Sequence, residues 1–208
     1  MPEALSIHAL TTLARVKAAA SFTIASGDDD NTTRLINAAS RHIEQQCGRH
    51  FERNATQADT LAGYGTDKIT VLRPPINSLT SITFDGSSVD LTDVTARSDE
   101  TGIIERDGGW NWTAHFLPNV TQYGLPGTEQ RVIVVTYDGG YVLPQDASPT
   151  LPEDLEDAAI QLVLAWMTPT SGIKSQRLLS YAVTYDVDRD MPARVAAVIA
   201  RYRREVNA

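Results

Sequence analysis

The residue types best suited to chemistry lie close together in one stretch of this chain. Cys47 is the single cysteine, and His42 and His50 are two of the four histidines. A thiol beside an imidazole can act as a nucleophile, and both residue types bind zinc. A zinc site needs about four ligands, usually in two spaced pairs, but His8 and His115 stand alone. The spacing therefore predicts no metal site, and a thiol or metal hydrolase is the last of the alternatives.

Two other kinds of stretch lack the full motif of a calcium-binding or phosphate-binding site. The acidic run 28–30 lacks the alternating ligands and the later Glu of a calcium loop, and it is typical of a helix start. The glycines at 63–65 and 138–140 are too closely spaced for a phosphate-binding loop. We therefore expect no enzyme activity and no cofactor.

Two tryptophans leave a different class of function open. Trp110 and Trp112 alternate on a predicted strand, which places both rings on one side. Such a pair can stack on a sugar or a base, although packing is its commoner role. A carbohydrate- or ligand-binding module that uses Trp110 and Trp112 is accordingly one alternative.

The first third of the chain reads as two helices. Apolar spacing predicts the first over residues 7–19, with Ser6 as its cap. The second begins at the acidic run, whose side-chain oxygens suit free N–H groups, and ends at Gly48. Its apolar stripe consists of Leu35, Ile36, Ala39, Ile43 and Cys47. Because the cysteine belongs to this stripe, we expect it to be packed and inert.

The middle of the chain predicts an antiparallel sheet. From about 60 to 141, short β-branched runs alternate with turn residues. Asp85-Gly86 between two such runs predicts a hairpin, and 131–137 is the clearest strand. The last third predicts a helix after Pro152, then a strand or extended arm, and finally a short amphipathic helix.

These elements predict an α+β fold, with a helical domain of about four helices and an inserted antiparallel β-rich domain. The expected boundaries are 1–57 for the first part of the helical domain, 58–147 for the insert and 148–208 for the second part, with its C-terminal docking helix.

Composition and charge narrow the class of protein further. The chain has 208 residues, of which 42% are hydrophobic, as in ordinary globular proteins. One cysteine excludes an intrachain disulfide, and neither a signal peptide nor a membrane span is predicted. The net charge is −8, yet four arginines and one glutamate after residue 193 give that end +3, leaving −11 elsewhere. This asymmetry suggests a docking end, with these candidate partner-binding residues: Arg194, Arg201, Tyr202, Arg203 and Arg204.

Several motifs, taken in order, resemble one known family. The stretch 12–52 combines "TLARVKAAASF", an acidic spacer and "LINAASRHIEQQCGRHF". Further along stand "RPPINSLTSITFDG", "VIVVTYDGGYVLP", "LPEDLEDAAIQLV" and "MPARVAAVIARYRR". Together they resemble the phage head–tail connector, or neck adaptor, family of HK97-type proteins. The segment 92–130 departs from that pattern, as does "LRPP" where Trp-Pro is frequent.

The resemblance implies a structural protein of a tailed-phage virion. Such subunits form a ring, commonly of twelve, that lies below the portal protein and joins it to the tail or to the next neck protein. The C-terminal segment would dock on the portal, and DNA would pass through without specific binding. A tail-side completion protein is the alternative within the virion. The expected location is the virion neck, and the host cytoplasm during assembly.

Overall fold

The computed structural model shows an α+β protein, which confirms the predicted fold class. It describes residues 3–62, 66–96, 101–110, 133–167, 175–178, 181–184 and 191–203. The α-helices in this part of the chain are α1 (Leu13–Ala19), α2 (Asp29–Cys47), α3 (Glu153–Met167) and α4 (Ala193–Tyr202). The strands are β1 (Asn54–Leu61), β2 (Lys68–Thr70), β3 (Ile76–Phe84), β4 (Ser87–Ser88), β5 (Val94–Ala96), β6 (Ile103–Arg106), β7 (Ile133–Gly139), β8 (Ser175–Leu178) and β9 (Tyr181–Thr184).

The described residues group into two compact units. One, called the helical unit below, comprises those of Met1–Arg49 and Val142–Arg203. The other, called the β unit, comprises those of His50–Tyr141. Whether domains with the boundaries expected from the sequence fold independently stays a prediction.

The first helix begins later than its apolar spacing predicts. Ser6 does not cap a helix; its hydroxyl accepts the N–H of His8 at 3.2 Å within a turn. Thr12 is the N-cap instead, and its hydroxyl accepts the N–H of Arg15. The preceding segment lies along α2, where Asn37 accepts the Ser6 N–H at 2.8 Å. Within residues 7–12, which form no helix, the Leu10 N–H donates to the hydroxyl of Ser40 on α2 at 3.0 Å.

Helix α2 carries the predicted apolar stripe. Ile36, Ala39, Ile43 and Cys47 are fully buried, and Leu35 is half-buried. The helix ends at Gly48, whose φ of 66° is left-handed and whose N–H donates to the carbonyl of Glu44. This glycine cap confirms the predicted helix end, because a left-handed residue after a helix costs glycine no steric strain.

The described strands of the β unit pair antiparallel, as predicted, but they form two sheets rather than one. The strand order is β1-β7-β3-β4 in one sheet and β2-β6-β5 in the other. The predicted hairpin joins β3 to β4, with Thr83 opposite Ser88. Asp85 and Gly86 both have positive φ, 53° and 75°, as a two-residue type I′ turn requires.

A buried carboxylate joins separate segments of the β unit. Asp59 of β1 is 1% exposed and accepts the hydroxyl of Tyr137 at 2.7 Å and the N–H of Leu72 at 2.6 Å. The Tyr137 hydroxyl in turn accepts the N–H of Arg73. Burial raises the pKa of Tyr137, and the neighbouring Asp59 raises it further. The hydroxyl therefore stays protonated and serves as a permanent donor.

Candidate docking surface

Helix α4 presents a basic face and buries an apolar one. Pro192 precedes its first residue, which suits a ring that cannot donate a backbone N–H. Val195, Ile199 and Tyr202 are buried within the helical unit. Between these positions the outward side carries arginines and alanines, so the helix has the amphipathic pattern that the sequence predicts.

Two of the exposed arginines form ion pairs with the first turns of α3. Arg194 lies 3.0 Å from Asp157, and Arg201 lies 3.0 Å from Asp154. The two arginine side chains keep 74% and 68% of their exposure. Exposed pairs of this kind contribute between zero and about 1 kcal/mol each, so the guanidinium groups remain available to a partner.

The other predicted docking residues differ in their surroundings. Tyr202 is buried, and its hydroxyl donates to Asp154 at 2.7 Å. Arg203 is exposed and donates to the carbonyl of Gln46 at 3.3 Å. Arg204 lies outside the described residues. The structure thus leaves Arg194 exposed at the start of α4 and Arg201 and Arg203 exposed at its end, and it turns Tyr202 inward.

The acidic start of α3 is the part of this surface that the sequence analysis missed. Acidic residues at the start of a helix are expected from the helix dipole alone. Asp154 and Asp157 form ion pairs with residues of α4 that are distant in sequence, so these ion pairs cannot be predicted from a local sequence pattern. Glu156 is used differently, since its carboxylate accepts from Thr11 and forms an ion pair with Arg15, joining α1 to α3.

The cysteine and histidine of α2 do not form a reactive pair. Cys47 is fully buried, its thiol contacts the carbonyl of Ile199 at 3.8 Å, and burial raises its pKa to about 11. His42 instead packs edge-on against Trp166, with 6.0 Å between the ring centroids. The prediction that Cys47 is packed is confirmed, and its lack of reactivity stays a prediction.

The acidic run at the start of α2 links two helices. No side-chain cap bond is made by Asp28, contrary to the expected capping. Asp29 forms an ion pair with Lys17 at 2.5 Å, which joins the start of α2 to the last turn of α1. Both residues lie in the stretch 12–52 that carries the family resemblance, and here they hold two helices together.

Trp110 is not available for the ligand-binding role that the sequence left open for the two tryptophans. Trp110 is 1% exposed and packs in the core of the β unit, with the guanidinium of Arg106 5.4 Å from its ring centroid. A ring enclosed in this way offers no face to a sugar or a base. Trp112 lies outside the described residues.

Membrane insertion finds no support among the described helices. None of them combines the length and the apolar character that crossing a bilayer requires.

Comparison with known proteins decides the family. The sequence pattern of head completion proteins matches residues 9–205. The chain belongs to the head completion protein family. Membership confirms the resemblance to phage head–tail connectors and makes the chain a viral structural protein that takes part in virion assembly. No curated protein matches the chain in sequence.

Solved structures show that a similar fold occurs in gene transfer agent particles. A chain in the neck of an empty gene transfer agent particle, computed with C6 symmetry, matches with a TM-score of 0.55 and 18% identity. A chain in a native gene transfer agent virion gives 0.54 and 16%, and one in a native neck computed with C12 symmetry gives 0.51 and 18%. Each match covers 99% of this chain and 94% of the other. At sequence identities this low, the structural matches show a similar fold and nothing further about this chain.

Proposed function

We propose that this chain forms a ring in the neck of a tailed phage, below the portal protein, and joins the portal to the tail or to the next neck protein. The observation that carries the proposal is the family match over residues 9–205. The fold it shares with neck chains of C6 and C12 particles supports a ring, since cyclic symmetry places equivalent subunits around an axis. A dodecamer is the expected form in the virion, after assembly in the host cytoplasm.

The docking end in this proposal is the basic face of α4. Arg194, Arg201 and Arg203 lie on the outside of the helical unit, and Arg204 follows them in the sequence. Guanidinium groups pair with carboxylates in a planar, two-bonded geometry, so the partner surface on the portal is expected to be acidic. The exposed ion pairs to α3 would be exchanged for pairs to that surface at little cost.

DNA passage is the remaining part of the proposal. The chain carries −8 overall, and that charge is more negative still without its C-terminal end. A ring whose channel is lined by acidic residues repels the phosphate backbone, so DNA passes without binding specifically. The proposed role is therefore structural, with no catalytic step.

Charge reversal on α4 tests the docking proposal. The variant carries Arg194→Glu and Arg201→Glu, and its matched control carries the same number of reversals, Arg34→Glu and Arg41→Glu, on the exposed side of α2. We expect the first variant to lose co-sedimentation with portal rings and the control to retain it. This design is sharper than deleting residues 194–208, because a deletion also removes three buried side chains.

The same experiment separates the two virion roles. Pull-down against isolated tail tubes is run beside the portal assay. Retained portal binding by the α4 variant contradicts the docking site. Binding to tail tubes and not to portal rings favours the tail-side completion protein instead.

A further inference from the structure

The strands β8 and β9 form a two-stranded ribbon between α3 and α4. Their antiparallel register runs from Ser175 opposite Thr184 to Leu178 opposite Tyr181. Among the described strands, neither pairs with any other. Two strands alone are at best marginally stable in water, and a further strand is one of the contacts that stabilise such a ribbon.

The register identifies the backbone groups that are open to such a strand. A two-residue connection makes the Leu178–Tyr181 pair hydrogen-bonded, and the pairs then alternate along the ribbon. The N–H and C=O groups of Ala182 and Thr184 consequently face away from β8. Strand β9 reads YAVT, without a charge, whereas β8 carries Arg177. Since charged residues protect edge strands from pairing, β9 is the edge better suited to accept a partner.

The β unit offers an edge of the matching kind. Strand β1 lies at the end of the order β1-β7-β3-β4, and no second described strand pairs with it. Its pairing with β7 is irregular between Asn54 and Gln57 and regular from there to Leu61. The one charge on β1, Asp59, is buried and hydrogen-bonded to Tyr137, so it does not repel an incoming strand.

We propose that β9 of one subunit adds to the outer edge of β1 in a neighbouring copy of this chain. The sheet β1-β7-β3-β4 would thereby continue into the ribbon, and main-chain hydrogen bonds would join the two copies. A second copy is the occupant because donor and acceptor are different surfaces of one chain. Contacts between unlike surfaces propagate around an axis and close into rings. The inference deepens the proposed function and rests on its ring.

Disulfide trapping in the full chain tests this contact. In a Cys47→Ala background, a tagged Thr184→Cys chain is mixed with untagged chains that carry Thr56→Cys, Ala58→Cys or Thr60→Cys, exposed positions on β1. The matched control is Ser88→Cys, which is exposed on the opposite edge of the same sheet. We expect at least one β1 position to give several-fold more tagged–untagged disulfide dimer than the control. Equal yields, or none, overturn the strand addition.

A backbone variant isolates the hydrogen bonds from the side chains. Ala182→Pro removes one outward N–H of β9 and leaves the ribbon's own bonded pairs in place. We expect it to abolish the mixed disulfide, and an unchanged yield contradicts the proposal. Ring formation is measured separately by sedimentation of the unmodified chain. Rings without the β1–β9 disulfide overturn only the strand addition, whereas the disulfide without rings supports it and contradicts the proposed ring.

Discussion

At the scale of single residues, Cys47 shows that burial determines what a reactive group can do. Its thiol pKa of about 11 leaves about one molecule in a thousand as thiolate at pH 8. An ordinary thiol, with a pKa near 8.5, is about one quarter ionised there. We expect maleimide to label the folded chain at least about a hundred times more slowly than the chain in denaturant. Comparable rates in the two states contradict a buried thiol.

The same pKa predicts how stability depends on pH. The folded-state pKa of Cys47 lies above its unfolded value, so this group's contribution is intact below about pH 8.5 and is lost as the pH rises toward 11. The free energy of unfolding should fall across that window. A Cys47→Ala variant should show a smaller fall between pH 8.5 and 10, because the contribution of the tyrosines is common to both chains.

The hydrogen bonds of the buried Tyr137 hydroxyl are expected to contribute to the free energy of unfolding. Tyr137→Phe keeps the ring and removes the hydroxyl that donates to Asp59 and accepts from Arg73. Asp59 then keeps the Leu72 N–H but loses one donor, and the Arg73 N–H loses its acceptor. An unsatisfied buried polar group costs about 1–3 kcal/mol, which is the loss expected in urea unfolding. Tyr202→Phe is the comparison, because its hydroxyl bonds a partly exposed Asp154 and should cost less. An equal loss in both variants contradicts the special role of the buried carboxylate.

At the scale of elements, local patterns predicted helices and hairpins better than isolated edge strands. The stripe of α2 and the Asp85-Gly86 turn depend on neighbours in sequence, and both were predicted. Strand β1 was not, because its sequence NATQADTL carries no apolar alternation and buries only Asp59. Its position is determined by pairing with β7, far along the chain. The contacts of α4 with α3 could not be predicted either, because they too join residues that are far apart in the chain.

The hairpin between β3 and β4 permits a direct test of backbone conformation. Gly86 has a φ of 75° with open space around its Cα, so Gly86→Ala adds left-handed strain without a clash. We expect a loss of about 1–2 kcal/mol in the free energy of unfolding. Gly27→Ala is the matched control, since that glycine also faces open space but has no positive φ. A similar change in both variants contradicts the turn assignment.

At the scale of the whole molecule, the stability of the fold and the docking of its charged surface depend on different residues. Its stability depends on buried side chains and sheet hydrogen bonds, whereas the arginines of α4 remain largely exposed. Surface charges mainly set the rate and specificity of association. Substituting them should therefore alter docking while the free energy of unfolding stays nearly constant.

A charge swap tests this separation in one protein. The double variant Arg194→Asp with Asp157→Arg retains an ion pair between α4 and α3 and reverses the sign presented at each end. We expect thermal unfolding within about 0.5 kcal/mol of the unmodified chain, because exposed pairs contribute little in either orientation. Portal binding, measured by co-sedimentation at low and high salt, should be weaker than that of the unmodified chain at low salt. At high salt the two proteins should converge, because screening removes the charge-dependent part of the contact. Equal portal binding at low salt would show that the sign of the charge at residue 194 does not contribute to docking.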